Sequence, residues 1–286
     1  MPAALAAAAP VAPVPAAAAD RPLRPLLRDV AAQVDLGNSP RSATAAVLGD
    51  GGKLNYGDRV LCRAVRRTSP LAGERHNRRM DITIVGTGNM ARGIATRALA
   101  GGHGVTLVGT ETQKAEALAG ELSGDVRAAG PDDALGGDIV VLAIWYQALD
   151  DVLGRYGDQL DGKVLVDIIN PVDPQTFQPL DVAAGSSAQE IAQKAPGARV
   201  VKAFNTTFAG TLADGQVDGQ PLDVFIAGDD DGAKDAVRRL VEDGGLRAVD
   251  AGPIALAHNL EALGYLHMAI QEGLGTSFGS TVKVVA

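Results

Sequence analysis

The 286-residue chain has a single cysteine, Cys62, which excludes an intrachain disulfide framework and a cysteine-based zinc site. No apolar run approaches the ~20 residues that a membrane-spanning helix needs. Basic residues are few from residue 80 onward, where 14 Lys and Arg face 28 Asp and Glu, a net charge of −14. A surface of that sign is a poor partner for nucleic acid or an anionic membrane. It leaves a phosphate-bearing cofactor open, because backbone N–H groups bind phosphates without net positive charge. The chain also has no G-x-S-x-G elbow, no H-E-x-x-H helix and no P-loop. The expectation is a soluble protein of a reducing, cytoplasmic compartment that works on small molecules.

The first 79 residues differ from the rest. Their net charge is +6, and 15 of the first 20 residues are Ala or Pro. Such a stretch has too little apolar area to offset its ordering entropy, beyond a short helix around Leu23 to Val34. No uninterrupted apolar segment follows Arg66-Arg67 or Arg78-Arg79, so a secretory leader is not expected. The segment reads as a disordered extension, or as upstream sequence translated from a misplaced start, since Met80 falls one residue before the first strand. Residues 80–250 are expected to form a dinucleotide-binding domain, and 251–286 a helical segment that closes its cleft or forms a dimer interface.

What the chain does have is the stretch Asp81 to Gly93. An apolar run with Ile82, Ile84 and Val85 ends in the loop Gly86-Thr87-Gly88-Asn89-Met90-Ala91, and Ile94, Ala95, Ala98 and Leu99 follow at helical spacing. This G-x-G-x-x-A loop between strand and helix predicts a pyrophosphate site at the helix N-terminus. Gly86 permits the turn, Gly88 lets backbone approach phosphate, and Ala91 keeps helix and strand close. Val105 to Val108 is a second strand, followed by Thr110, Glu111 and Lys114. An uncharged Thr110 with Lys114 one turn on favours a ribose 2′-phosphate, hence NADP(H). Glu111 in the ribose position would favour NAD instead.

Strands are expected at 139–144, 164–169, 199–204, 222–227 and 247–250, with helices between them and a final helix over 254–271. The alternation predicts an α/β fold with a doubly wound, mostly parallel sheet. Ligands of such sheets sit at the strands' carboxyl ends. Those ends are Ala143-Ile144-Trp145, Ile169-Asn170-Pro171 and Asn205-Thr206-Thr207-Phe208-Ala209. Small, amide and hydroxyl residues beside large apolar ones suit a flat ring bearing a carboxamide, although Asn170 and Asn205 also read as ordinary turn residues. Asp229-Asp230-Asp231 reads as a helix cap rather than a metal site. His258 and His267 lie on opposite faces of one helix, with His267 in a core stripe with Leu260, Leu263, Ile270 and Leu274. No Lys or Tyr stands out for proton transfer. Hydride transfer between two bound rings needs close alignment and exclusion of water more than an acid or base.

Several segments together resemble the NADP oxidoreductases dependent on coenzyme F420, a deazaflavin. They are Val85-Gly-Thr-Gly-Asn-Met, Ala143-Ile-Trp-Tyr, Val201-Lys-Ala-Phe-Asn-Thr-Thr-Phe-Ala, Gly228-Asp-Asp-Asp, Gly245-Leu-Arg-Ala-Val-Asp-Ala-Gly-Pro and Glu261-Ala-Leu-Gly-Tyr-Leu. The resemblance covers residues 80–286 and implies reversible hydride transfer between NADP(H) and the deazaflavin. It implies that Thr87, Asn89 and Met90 contact pyrophosphate and ribose, and that Thr110 and Lys114 approach the 2′-phosphate. Ala143, Ile144 and Trp145 would line the nicotinamide ribose, with the ring against Thr206 to Ala209 and no catalytic acid or base. It also implies a homodimer in which Leu260 to Gly279 helps close the cleft. The chain departs from the family pattern at Thr110-Glu111, where Ser-Arg is common, and at Trp145 and Phe208, where Pro is frequent. Two other readings remain: reduction of a flavin, quinone or ferric chelate, and a non-catalytic nicotinamide sensor.

Overall fold

The computed structural model describes residues 79–285. The expectations for Leu23 to Val34, Cys62 and the remainder of the extension up to residue 78 fall outside the described residues.

Strand β1 (Asp81–Val85) is buried at four of its five residues and leads through the glycine loop into α1 (Asn89–Ala100). Ala91, Ile94, Ala95 and Ala98 form the buried face of α1, and Gly101 ends it. Then follow β2 (Gly104–Val108), α2 (Thr112–Glu121), β3 (Val126–Ala129), β4 (Ile139–Leu142), α3 (Leu149–Tyr156) and β5 (Val164–Asp167). The chain continues with α4 (Ser187–Lys194), β6 (Arg199–Lys202), α5 (Ala209–Asp214) and a small hairpin, β7 (Gln216–Val217) and β8 (Gln220–Pro221). It closes with β9 (Asp223–Gly228), α6 (Asp231–Asp243), β10 (Arg247–Gly252), α7 (Ala257–Ala269) and α8 (Gln271–Leu274).

Eight strands share one sheet in the order β10-β9-β6-β5-β4-β1-β2-β3. Strands β1 to β6 are all parallel, in the 3-2-1-4-5-6 order of a dinucleotide-binding sheet. Strand β9 turns antiparallel to β6, and β10 runs parallel to β9. The expected doubly wound α/β fold is therefore present. The direction of winding reverses between β1 and β4, which opens a crevice at their carboxyl ends. Apolar residues pack on both faces: Ile84, Ile94 and Val141 on one, Val140, Leu142 and Leu149 on the other. Each such side chain contributes about 1.5–3 kcal/mol on burial.

Three details differ from expectation. Strand β3 was not anticipated, because Val126-Arg-Ala-Ala offers neither an apolar run nor alternation, and none of its residues is fully buried. The final helix is divided into a 3₁₀ turn over Ile254–Leu256, then α7 and α8. Its buried stripe is Leu260, Gly264, His267 and Gln271, whereas Ile270 and Leu274 are exposed. The reason is steric: a Cβ on Gly264 would lie 2.8 Å from the Asn170 amide and the Asn205 carbonyl, so only this face fits. Asp230 caps α6, accepting from Ala233 N–H at 2.6 Å, as its position suggested.

The segment after α8 is tied back to the sheet by Asp223, whose carboxylate is fully buried. Val284 N–H donates to it at 2.8 Å and Lys283 Nζ at 3.2 Å, and Arg247 pairs with it. Burial alone pushes this carboxyl up, but the bonds from Arg247, Val284 and Lys283 outweigh it and hold the group below its ordinary value. A depressed carboxylate contributes stability that is present above its unfolded pKa and lost as pH falls through the folded one. Asp223→Asn should cost about 1.5–3 kcal/mol at pH 7, the range for hydrogen bonds to charged groups. In urea unfolding that difference from wild type should shrink as pH drops below the usual carboxylate range. A pH-independent difference would mean that the charge contributes nothing.

Candidate functional site

The two glycines of the loop do different things. Gly86 has φ +124°, and a Cβ there would lie 2.1 Å from the Ala143 carbonyl oxygen, so β1 and β4 meet backbone to backbone. Gly88 is extended, and a Cβ there would meet nothing within 4 Å. It is the N-cap of α1, and no side chain caps that end. The first N–H groups of a 12-residue helix, with their partial positive charge, are thus left to the crevice. Gly93, one turn on, lets α5 approach, because its Cβ would lie 2.9 Å from the Ala209 carbonyl and the Leu212 Cβ. That contact places the start of α5 beside the start of α1.

Between them lies a cleft of about 760 Å³, within the roughly 300–1,000 Å³ typical of cofactor and small-ligand sites. The structure brings together there Gly88, Asn89 and Met90 after β1, Ala143, Ile144 and Trp145 after β4, and Asn205, Thr207, Phe208 and Ala209 after β6. Gly86, Thr87 and Thr206 do not line it; nor do Thr110 and Lys114. Lys114 instead makes an exposed ion pair with Glu111 at 2.7 Å, so the two residues expected to compete for the ribose neutralise each other. Thr206 is buried and its hydroxyl has no partner. The wall also includes Phe177, on a loop that nothing in the sequence patterns marked, and Met268, Ser277 and Phe278, which lie within the stretch from Leu260 to Gly279 that the resemblance implied at the cleft. None of the lining residues is charged.

Asn170 and Asn205 are more than turn residues. Asn170 Nδ2 donates to the Asn205 carbonyl at 2.7 Å, and Asn205 Nδ2 donates to Asn170 Oδ1 at 2.9 Å and to Leu260 O at 2.8 Å. This pair locks the ends of β5 and β6 to α7. With both amide hydrogens used, Asn205 Oδ1 is a buried acceptor without a partner at the cleft wall. Such an atom costs free energy until a ligand donates to it. The turn is reached through Phe204 with φ 62°, a conformation that a bulky residue adopts only under surrounding constraint.

Aromatic residues concentrate here. The chain has five Phe and one Trp, and four of those six line the cleft. Trp145 and Phe177 meet edge to face with centroids 6.4 Å apart, as do Phe208 and Phe278 at 5.0 Å. Three of the four are more than half exposed, at 53, 52 and 53 % for Trp145, Phe177 and Phe278. His267 stacks on Phe208 with ring centroids 4.2 Å apart. Its Nδ1 donates to Thr206 O at 3.2 Å, which leaves Nε2 to accept from Ser280 Oγ at 2.8 Å. Burial lowers its pKa, opposed by the bond to Thr206, so the ring is neutral at pH 7. Gln271 donates to Ser280 at 2.9 Å, and the segment carrying Ser277 and Phe278 is thereby fixed against the cleft.

Behind the wall is a buried ionic cluster that sequence reasoning passed over. Lys202 Nζ, fully buried, lies 2.9 Å from Asp167 Oδ2, 2.7 Å from Glu261 Oε1 and 2.9 Å from Ser187 Oγ, and donates to the Ile169 carbonyl. It joins β5, β6, α4 and α7 directly beneath the residues that form the cleft.

Residues 81–171 match the family described as NADP oxidoreductase coenzyme F420-dependent. The F420-dependent NADP reductase of Methanothermobacter thermautotrophicus is 30% identical over 202 residues, which cover 64% of this chain and 86% of that enzyme. This chain is a member of the F420-dependent NADP oxidoreductase family. A solved structure from Arthrobacter sp. FB24, assigned as an F420-dependent NADP reductase, matches 72% of the chain and all of its own length at 31% identity, with a TM-score of 0.65. The rat metalloreductase STEAP3 is 32% identical over 182 residues, but the chain spans only 36% of that protein's length. The member described here is accordingly an NADP-dependent oxidoreductase. No helix among its described residues is long and apolar enough to cross a membrane.

Proposed function

We infer that the protein transfers a hydride between NADP(H) and the deazaflavin ring of coenzyme F420. The observation that carries this reading is the uncharged, aromatic-rimmed cleft at the β1–β4 switch point, with Gly88 open to it and an unpartnered buried acceptor at Asn205. The nicotinamide cofactor supplies or takes up the hydride. Asn89, Met90 and the free N–H groups of α1 receive its pyrophosphate, with Gly86 and Thr87 shaping the loop. Asn205 Oδ1 accepts from the carboxamide, which fixes which ring face turns outward. Thr207, Phe208 and Ala209 back the ring, and Ala143, Ile144 and Trp145 flank the attached ribose. A 2′-phosphate recruits Lys114, assisted by Thr110, away from Glu111.

The second ring enters between the aromatic pairs and lies parallel to the first. Trp145, Phe177, Phe208 and Phe278 exclude water from the gap, and close apposition of the rings does the rest. In the direction of acceptor reduction, NADPH is oxidised to NADP⁺, the deazaflavin gains the hydride, and one proton is taken from water. The exposed apolar residues Leu266, Ile270 and Leu274 support a homodimer joined along α7 and α8.

The test is NADPH oxidation by the full chain with and without coenzyme F420, with NADH in parallel. Rapid F420-dependent oxidation with preference for NADPH is expected. Turnover with a free flavin, a quinone or a ferric chelate but not F420 would overturn the choice of acceptor. Tight NADPH binding with no turnover on any acceptor would favour a sensor. A preference for NADH would mean that Glu111 reads the ribose.

A further inference from the structure

Four hydrogen bonds run in one direction from the segment after α8 to the end of β6. Thr276 Oγ1 donates to Gln271 Oε1 at 2.6 Å, and Gln271 Nε2 donates to Ser280 Oγ at 2.9 Å. Gln271 Nε2 also donates to the His267 carbonyl at 2.7 Å, which fixes the orientation of that amide. Ser280 Oγ lies 2.8 Å from His267 Nε2, and His267 Nδ1 lies 3.2 Å from the Thr206 carbonyl. The last link sets the direction, because a carbonyl only accepts: Nδ1 carries the hydrogen of the neutral ring, and Nε2 accepts from Ser280. His267 is the member of this set that reaches the sheet, and the same ring stacks on Phe208. The segment it holds does not support itself. Gly279 N–H donates to the Thr276 carbonyl at 2.8 Å, closing a turn whose central residues, Ser277 and Phe278, have φ 48° and 63°. A turn with two positive φ values favours Gly and Asn, and each other residue costs of order 1–3 kcal/mol that its surroundings must offset.

Resting on the hydride-transfer reading above, we propose that His267 is a positioning residue for the transfer step. It does not line the cleft. One imidazole nevertheless fixes both rings of an aromatic pair: it backs Phe208 directly and, through Ser280, ties down the turn that carries Phe278. The grips on the cofactor lie elsewhere, at Gly88, Asn89 and Asn205, and Asn205 keeps its own bonds to Asn170 and Leu260. Loss of the His267 bonds therefore leaves NADPH binding in place. The turn relaxes, Phe278 moves off Phe208, and the wall behind the nicotinamide is no longer fixed. A misplacement of about 1 Å between reacting groups costs on the order of a hundredfold in rate. His267 acts on turnover and not on cofactor affinity.

Three variants of the full chain separate the links. His267→Phe keeps a flat ring against Phe208 and loses both bonds, Ser280→Ala loses only the link to the turn, and Ser280→Thr restores the hydroxyl. Each is measured for NADPH affinity, for kcat and KM of NADPH oxidation with coenzyme F420, and for amide hydrogen exchange over residues 275–281. His267→Phe and Ser280→Ala should lower kcat about tenfold or more, with NADPH affinity within about twofold of wild type. Both should exchange faster over 275–281, and Ser280→Thr should recover most of kcat. The double variant His267→Phe/Ser280→Ala should be no slower than His267→Phe alone, since both changes break one link. Unchanged exchange in Ser280→Ala would overturn the proposal. So would a kcat within about twofold of wild type, or a loss of NADPH affinity that matches the loss of kcat, as a merely structural residue would give. If His267→Phe does not fold, the two Ser280 variants decide on the same readouts. Wild-type protein without F420-dependent turnover would defeat the hydride-transfer reading, whereas faster exchange in Ser280→Ala would still uphold His267 as the anchor of the turn.

Discussion

Gly88→Val should remove NADPH binding and leave the fold intact. The side chain would enter space in which a Cβ meets no protein atom within 4 Å, so nothing in the apoprotein resists it. Gly88 is extended, with φ −80°, and valine adopts that backbone without strain. The two methyl groups would occupy the volume that the pyrophosphate needs at the N-terminus of α1. A loss of roughly a hundredfold in NADPH affinity is expected, about 2.8 kcal/mol at ~1.4 kcal/mol per decade. The melting temperature should stay within a few degrees of wild type. Gly86→Val is the contrasting case. There φ is +124°, and the Cβ would collide with the Ala143 carbonyl at 2.1 Å, so the strands β1 and β4 must separate. That variant should fail to fold or melt far below wild type. Titration with NADPH and a thermal melt on both variants separate a ligand glycine from a structural one. Normal NADPH binding by Gly88→Val would show that the loop does not hold the pyrophosphate.

The difference between those glycines could be read from the motif, because each role is local: a turn at Gly86, a helix end two residues later at Gly88. The same holds for the Asp230 cap and for the fully buried strands β4 and β5, whose apolar runs permit no other placement. What was not legible depends on partners far apart in the chain. Asn170 and Asn205 are 35 residues apart, and each alone looks like a turn residue. Only the pairing shows that Asn205 spends its N–H groups on protein and leaves its buried oxygen without a partner. The stripe on α7 was misassigned for a related reason. Hydropathy favours burying Ile270 and Leu274, but the helix must approach the asparagine pair, and glycine is the residue that fits. Phe177 and Phe278 carried no periodic signal; their role follows from loops folding back over one cleft. Lys114 was correctly placed near the second strand's end, yet its ion pair with Glu111 changes what both residues offer.

Lys202 is the sharpest case, because a hydropathy argument sends lysine to the surface. Its partners Asp167, Ser187 and Glu261 are 35, 15 and 59 residues away in sequence. One fully buried ammonium serves two carboxylates, of which Asp167 is fully buried and Glu261 nearly so, and the Ser187 hydroxyl and backbone N–H add donors to the acids. Removing one partner from such a cluster is far more costly than removing all of them, since it leaves charge without compensation. Lys202→Met should therefore lose about 3–5 kcal/mol, a large part of the 5–15 kcal/mol that holds a typical domain together. Adding Asp167→Asn and Glu261→Gln to the same chain removes the orphaned charges and should recover much of that loss. The measurement is a urea midpoint for the single and triple variants. The triple variant should also report on function: the Ile169 carbonyl loses its ammonium donor, and the strand ends that carry Asn170 and Asn205 keep only the Asn205 bond to Leu260 as their tie to α7. NADPH affinity should fall while the fold returns. A single variant as stable as wild type would mean that the cluster is not held as an ion pair. A triple variant no more stable than the single one would assign the loss to packing of the lysine stem.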